Sequence, residues 1–449
     1  MGQARGTMAQ SSEQEGVVGD IEVFLQDAIL GLEPDRQANR RRGPGRPPVL
    51  PSLCLWAGLL VCVLRRGFTS QTALWRLLCQ KQLWSYPRFL LTDEGVRKRL
   101  AKAGSAPLEK LFAQISSLLR QRLRGYAIPD LAPFASTVVA LDETTLDKVA
   151  RSLPALRGAP AGDDRLLPGK LAGLFDIRHQ QWLKVQHVES ARQNEKVLAQ
   201  KMVEALPRAS LILADLGYFG FAWFDWLTQS GHYFVSRLRA KTSYKVIHAH
   251  YQKGDCFDGL IHLGAYRADR AQEAVRLVTF RVGTTTYRYI TNVLEPITLS
   301  IYDIARLYAY RWDIELAFKL IKRELGLHLL WSAKVGVILQ QVWAVLIISQ
   351  ILQALRLEIA GRAGVDVFEV SMPLLAEYAP RLAADGLDPV EVFVQQGRHL
   401  GFIRPSRRTK IQAPIIPPEE IIPPPEGLVL TRTARHANRN CGPRPKETN

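Results

Sequence analysis

Two aspartates and one patterned segment carry the residues best able to do chemistry. Asp142, in Leu141-Asp142-Glu143-Thr144, and Asp215, in Ala214-Asp215-Leu216-Gly217-Tyr218-Phe219, each follow a short apolar run. An apolar strand buries its length and delivers its last residue to the sheet's edge, where the sites of open α/β sheets gather. The two carboxylates are therefore expected to converge. Asp also caps helices and opens turns after strands, so a structural reading of the pair stays open. Glu143 and Asp147 are the competing acids nearby. The sharper pattern is Tyr308-x2-Arg311-x3-Glu315-x6-Lys322. At roughly 100° per residue these four fall in a stripe about 60° wide, bordering an apolar seam of Leu307, Ile314, Phe318, Ile321 and Leu325. An acid flanked by two cations and a phenol is an unusual surface, and the plain alternative is an i,i+4 Arg311–Glu315 pair on an ordinary helix.

Taken together and in this order, these residues resemble the Tyr-Arg-Glu-Lys class of bacterial insertion-sequence DDE transposases. The stripe matches that signature at every position. Asp142-x-Thr144 resembles the family's first aspartate block and Asp215-x-Gly217-Tyr218-Phe219 its second, and the resemblance covers roughly residues 135–330. It implies an α/β fold with a ribonuclease-H-like catalytic core. It also implies that Asp142, Asp215 and Glu315 are catalytic and bind two Mg²⁺ ions, with Mn²⁺ able to substitute. Hard divalent ions take carboxylate oxygens, and the lack of His or Cys in these blocks agrees with Mg²⁺ rather than zinc. Tyr308, Arg311 and Lys322 would hold DNA phosphates, Arg in bidentate fashion and Lys as a point charge.

The implied reaction is cut-and-paste transposition: water nicks the element's end, and the freed 3′-OH joins to target DNA by metal-dependent phosphoryl transfer. A hairpin intermediate is the family's route between these steps. Relatives stabilise a flipped base with Trp from the β insertion, but this chain has no Trp between Trp226 and Trp312, so that role does not transfer. The implied partners are terminal inverted repeats and target DNA, with a homodimer on paired ends, in the bacterial cytoplasm. Two alternatives remain: an inactive or repurposed transposase-derived DNA-binding protein, and a metal-dependent nuclease that cuts without joining.

The elements that must position these residues can be read from the pattern. Residues 50–125 read as helical, with helices over Ser70–Leu78 and Thr92–Ala103, the latter capped by Thr92 with Asp93 and Glu94 in its first turn. Val96-Arg97-Lys98-Arg99-Leu100 is similar to a helix-turn-helix recognition helix and equally to a charged surface helix. From Thr137 the pattern becomes β/α: strands over Thr137–Leu141, Leu171–Ile177, Trp182–Val188, Ser210–Ala214 and Tyr233–Leu238, with helices over Glu195–Leu206 and Phe219–Gln229. Short β segments fill 240–294, and one long helix is expected from near Ser300 past Glu324. The organisation expected is an acidic leader and basic Pro/Gly-rich arm (1–48), a helical DNA-binding region (49–130), a catalytic domain (131–334) with a β insertion at about 240–296, a C-terminal helical region (335–402) and a Pro-rich basic tail (403–449).

Composition agrees with a polyanionic partner. The 449 residues carry 59 Lys and Arg against 42 Asp and Glu, a net charge of +17, and are 47% hydrophobic. That surplus points first to nucleic acid, and the apolar fraction excludes a wholly disordered chain. Five dispersed cysteines without a Cys-x-x-Cys pair fit neither a disulfide framework nor a zinc module. Residues 1–35 hold seven acids and one Arg, the reverse of a signal peptide's basic start. Leu50–Leu64 is too short to span a bilayer, and Val335–Leu355 is interrupted by Gln340, Gln341, Ser349, Gln350 and Gln353, so both read as buried helices and no membrane is expected. The arm at Arg40–Pro48 reads as an extended minor-groove segment or a solvated linker. The tail is expected to be mobile and to brush against a polyanion.

Overall fold

The computed structural model describes residues 16–32, 50–66, 70–80, 82–128, 130–146, 157–160, 169–189, 195–265, 267, 269–328, 330–332, 334–406 and 412–433. The arm at 40–48, Asp147 and the basic residues after 433 lie outside them. A nine-stranded mixed sheet organises the α/β fold: β1 (Val138–Thr145), β2 (Lys170–Asp176), β3 (Gln181–Val188), β4 (Leu211–Ala214), β5 (Tyr233–Arg237), β6 (Tyr244–Lys253), β7 (Cys256–Leu263), β8 (Val275–Val282) and β9 (Thr285–Thr291), in the order β3-β2-β1-β4-β5-β9-β8-β7-β6. β1, β4 and β5 run parallel; the other pairings are antiparallel. The parallel centre is buried on both faces, which is why its strands read as continuous apolar runs rather than alternating ones.

The two faces have separate cores. Val138, Ala140, Leu211 and Leu213 point into the larger cluster, while Val139, Leu141, Ile212 and Ala214 point into the smaller one. The smaller is closed by α6 (Glu195–Val203) and α7 (Phe221–Gln229), through Leu198, Met202, Trp223 and Phe224. The larger is closed by α8 (Ile301–Tyr310), α9 (Asp313–Lys319) and α10 (Val335–Ala363), and by the N-terminal helices α1 (Ile21–Leu30), α2 (Ser52–Leu64), α3 (Gln71–Gln80), α4 (Asp93–Ala103) and α5 (Ala106–Arg122). Helices α11 (Met372–Ala384) and α12 (Pro389–Gln396) pack on the far side of α10. Local signals explain the helix starts. Thr92 caps α4 by accepting from the Gly95 amide at 3.1 Å, and Asp20 caps α1 by accepting from Glu22 and Val23 at 2.8 and 2.9 Å.

Helix α10 is the one helix among the described residues long and apolar enough to cross a membrane, and 83% of its most apolar stretch is buried inside the fold. Gln340, Gln341, Ser349 and Gln350 among its interrupting polar residues have partners within the protein, while Gln353 Oε1 is buried without one. Gln350 accepts from the Trp182 amide at 2.8 Å and donates to Ser116 Oγ at 2.6 Å and the Trp182 carbonyl at 3.0 Å, while Gln340 donates to the Leu100 carbonyl at 2.8 Å. A buried polar group left without such a partner costs about 1–3 kcal/mol, so these residues pin α10 to the edge of the sheet and to α4 and α5.

Three expectations are corrected. Strand β1 continues past Asp142 to Thr145, because Glu143, Thr144 and Thr145 keep their pairing with Ala172, Leu171 and Lys170. The single long helix from Ser300 is interrupted twice. It tightens after α8, where the Trp312 amide bonds to the Ala309 carbonyl three residues back, and widens over Leu320–Glu324, a π-helical turn in which the Leu325 amide reaches the Leu320 carbonyl. Over its described residues 412–433 the tail is seated rather than loose. Ile422 and the His250 carbonyl, Ala274 and the Leu430 carbonyl, and Arg432 and the Gln272 carbonyl form main-chain bonds of 2.8–2.9 Å along the β6–β7 side of the sheet. His248 Nε2 and His250 Nδ1 both lie against the Ile422 carbonyl oxygen, at 2.9 and 3.0 Å.

Candidate active site

Register brings the two aspartates together. In the parallel β1–β4 pair Leu141 stands beside Ala214, so the next residue of each chain, Asp142 and Asp215, emerges at the same end of neighbouring strands about 4.8 Å apart. Alternation decides the face. Val138 and Ala140, like Leu211 and Leu213, belong to the larger core, so Asp142 and Asp215 continue toward the layer that holds α8, α9 and α10. Glu315 comes from α9 in that layer.

A glycine sets how closely α9 can approach. Gly173 on β2 pairs with Asp142. A Cβ there would lie 2.6 Å from Trp182 Cζ3 and 3.3 Å from Phe318 Cζ, and Trp182 and Phe318 pack with ring centres 4.9 Å apart. The bare backbone lets the indole and the α9 phenyl settle on the sheet directly below the acids. Gly173→Ala is expected to lower stability by about 1–3 kcal/mol, as overpacking does. A urea melt with an unchanged midpoint would show that the Trp182–Phe318 pair yields freely.

The electrostatics bear the marks of clustered acids. Asp142 accepts from the Glu143 amide at 2.8 Å, yet its carboxyl is pushed up to about 7. Burial is the largest cause, the negative charges of Asp215 and Glu315 add to it, and the Glu143 bond and Arg311 oppose it. Asp215 takes the structural role its sequence allows as well, capping the turn Leu216–Tyr218 by accepting from the Gly217 amide at 2.8 Å. Glu315 accepts from Arg311 Nη2 at 2.8 Å, so the plain i,i+4 pair is present and it sits at the acids. The Arg311 guanidinium lies 5.5 Å from the Tyr308 ring centre and 5.7 Å from that of Trp312. Burial raises the Tyr308 hydroxyl above its ordinary value, against the pull of Arg311 and Arg237. Lys322, carried by the π-helical turn, donates to Thr144 Oγ1, two residues beyond Asp142 on the same face.

Asp142, Asp215 and Glu315 are thus close enough to feel one another, with Tyr308, Arg311 and Lys322 around them. Among the described residues, no three acidic, His or Cys side chains are gathered tightly enough to form a finished ion cage, and Glu315 is paired with Arg311. The donor set still fits a hard divalent ion, since three carboxylates face one edge and their mutual repulsion is what a cation relieves. The competing acids are occupied elsewhere. Glu143 is buried against Lys170, on the face opposite Asp142, and Glu324 pairs with Arg66 at 3.3 Å.

Sequence reasoning passed over Arg237. It ends β5, and its guanidinium lies 5.8 Å from the Tyr308 ring centre. Its signal was the one used for the aspartates, a polar residue closing an apolar strand. In α4 the cations of the recognition-helix reading are engaged locally: Arg97 with Asp93 at 2.8 Å, Lys98 with Glu94 at 3.7 Å, and Arg99 with Ser52 Oγ at 3.2 Å.

Residues 133–351, which include both aspartates, Glu315 and the Tyr-Arg-Glu-Lys stripe, match the transposase DDE domain family. The curated relatives it is similar to are transposases of insertion-sequence elements. The transposase for insertion sequence element IS231E of Bacillus thuringiensis subsp. finitimus is 25% identical over 234 residues, 50% of this chain and 46% of that protein. The transposase for IS231B of Bacillus thuringiensis subsp. berliner is 26% identical over 163 residues, 36% of this chain and 33% of that protein. The chain therefore matches less than half the length of these curated relatives. Among solved structures, a piggyBac transposase synaptic complex with hairpin DNA aligns over 90% of this chain and 88% of that chain, at 9% identity and a TM-score of 0.41.

Proposed function

We propose that this protein is a cut-and-paste DNA transposase of the Tyr-Arg-Glu-Lys class, which cleaves at insertion-sequence ends and joins the freed 3′-OH ends to target DNA. The observation that carries the reading is the β1–β4 register, which sets Asp142 beside Asp215, with Glu315 near enough to act on Asp142. Five strands in the order β3-β2-β1-β4-β5, with the first two antiparallel to a parallel centre, support a ribonuclease-H-like core. The proposed domains are the DNA-binding helices of residues 49–130, a catalytic domain over 131–334 with its β insertion at about 240–296, and the helical region 335–402. A homodimer on paired terminal repeats, in the bacterial cytoplasm, belongs to the same reading.

Asp142, Asp215 and Glu315 would hold a pair of Mg²⁺ or Mn²⁺ ions. Such a pair activates an attacking oxygen and stabilises a leaving one in an in-line phosphoryl transfer. The remaining work falls to the chain itself. Arg311 offers a planar fork to a phosphate, Lys322 a point charge beside Thr144, and the Tyr308 hydroxyl one hydrogen bond. The aromatic wall of Tyr289 and Tyr308, with ring centres 5.0 Å apart, limits water on that flank.

The test is a supercoiled plasmid carrying the DNA that flanks the gene, incubated with the protein and Mg²⁺ or Mn²⁺. Cuts at both element ends followed by joined products support the transposase. Cuts without joining assign a nuclease, and binding without cuts assigns a repurposed DNA-binding protein.

A further inference from the structure

We propose that Arg311 is the exchangeable counter-charge of the site: its guanidinium and a divalent cation compete for Glu315, so that cation binding and phosphate binding are linked through one side chain. The inference rests on the reading of Glu315 as a cation ligand and goes beyond it by assigning Arg311 two alternating partners.

Three observations support it. Arg311 Nη2 lies 2.8 Å from Glu315 Oε1, and the arginine side chain is 11% exposed against 30% for the glutamate. The guanidinium is therefore the inner member of the pair and occupies one oxygen of the carboxylate. Second, the guanidinium is flanked by the Tyr308 and Trp312 rings, while its buried Nε has no hydrogen-bond partner. The rings hold the plane of the fork but leave donor capacity unused, as a group with a second acceptor in prospect would. Third, α8 and α9 are separate helices and Arg311 lies in the tightened turn between them. Its side chain can swing there without unwinding either helix.

An arginine keeps its charge throughout the accessible pH range, so no proton loss can release Glu315; only movement can. A cation taking Glu315 frees the fork, and its best new partner is a phosphate, which it meets with two parallel donors. Linkage then runs both ways: phosphate drawn to Arg311 frees Glu315 for the cation, and the cation frees Arg311 for phosphate.

The experiment follows Mn²⁺ binding by the loss of its free electron-paramagnetic-resonance signal. The full-length protein is titrated with and without a saturating short DNA duplex, whose own Mn²⁺ uptake is subtracted. Wild type is expected to bind Mn²⁺ more tightly with DNA by about 5- to 150-fold, the usual span of a coupling between sites. Arg311→Gln should bind tightly without DNA and gain little from adding it. Arg311→Lys, which keeps the charge, should stay wild-type-like without DNA, which separates competition from a disturbed fold. Equal Mn²⁺ affinity and an equal DNA effect in wild type and Arg311→Gln would overturn the proposal while leaving Glu315 a ligand. Should Glu315→Gln bind Mn²⁺ as well as wild type, the reading of Glu315 falls, and the proposal with it.

Discussion

Glu315→Gln is expected to abolish cleavage of element ends, by roughly 10³-fold or more, the scale on which a catalytic unit fails when one member is lost, while DNA binding survives. The amide is nearly isosteric, and its oxygen can still accept from Arg311, whose Nη2 lies 2.8 Å from the carboxylate it replaces. The local helix and the Arg311 slot between Tyr308 and Trp312 should therefore persist. What disappears is one anionic oxygen donor, which a hard divalent ion needs. Plasmid cleavage and a gel-shift assay, run side by side, measure the two consequences. A mutant that cuts normally would end the assignment of Glu315. The neighbouring acids make poor substitutes, because Glu143 is turned to Lys170 and Glu324 to Arg66.

The second large effect is a pH-dependent cost carried by Asp142. Its carboxyl is pushed up to about 7 by burial and by the charges of Asp215 and Glu315, from an unfolded value near 3.8. A folded-state value above the unfolded one means that the folded protein holds the proton more tightly. The contribution to stability is fully present below about pH 4 and is lost as pH rises through 7. Over that interval wild type should lose on the order of 2–4 kcal/mol relative to Asp142→Asn, with chelator present. Urea melts of both proteins at pH 4 and pH 8 give the difference directly. A difference that does not change with pH would contradict the crowding of acids described here. Added Mn²⁺ should shrink the wild-type loss, since a bound cation removes the repulsion that causes it.

Much of the site was legible in the sequence because its placement is a matter of short range. A run of four or five apolar residues followed by Asp is enough to bring Asp142 and Asp215 level on neighbouring strands, although β1 itself runs on to Thr145, and alternation inside β1 and β4 fixes the face. The spacing from Arg311 to Glu315 survived because an i,i+4 contact spans barely one turn. Lys322 was less legible. A uniform rotation per residue cannot anticipate the tightened turn at Trp312 or the π-helical turn at Leu320–Glu324, both of which reset the angle before that residue is reached. Gly173 was out of reach for another reason: its importance lies in the indole of Trp182 and the phenyl of Phe318, which the fold stacks against it from a neighbouring strand and from a helix. The tail misled because Pro-rich composition describes the local backbone, whereas its docking depends on the Ile422 carbonyl meeting His248 and His250, and on the Arg432 amide donating to the Gln272 carbonyl, on a distant part of the chain.

Helix α10 has a consequence for how the protein is made. Its residues complete the core under α2, α4 and α5, contribute the Gln340 and Gln350 anchors, and supply Glu358, which accepts from the Val17 amide 341 positions earlier at 3.0 Å. The N-terminal helices therefore leave the ribosome with their apolar faces uncovered, and they stay so until about residue 363 has been synthesised. Domains usually fold as units while the chain emerges, but here α2, α4 and α5 are completed only by α10. A ribosome that stalls before α10 releases a fragment with exposed Leu, Val and Trp faces, a substrate for chaperones and proteases. Only chains extended past α10 can present these helices folded to a partner.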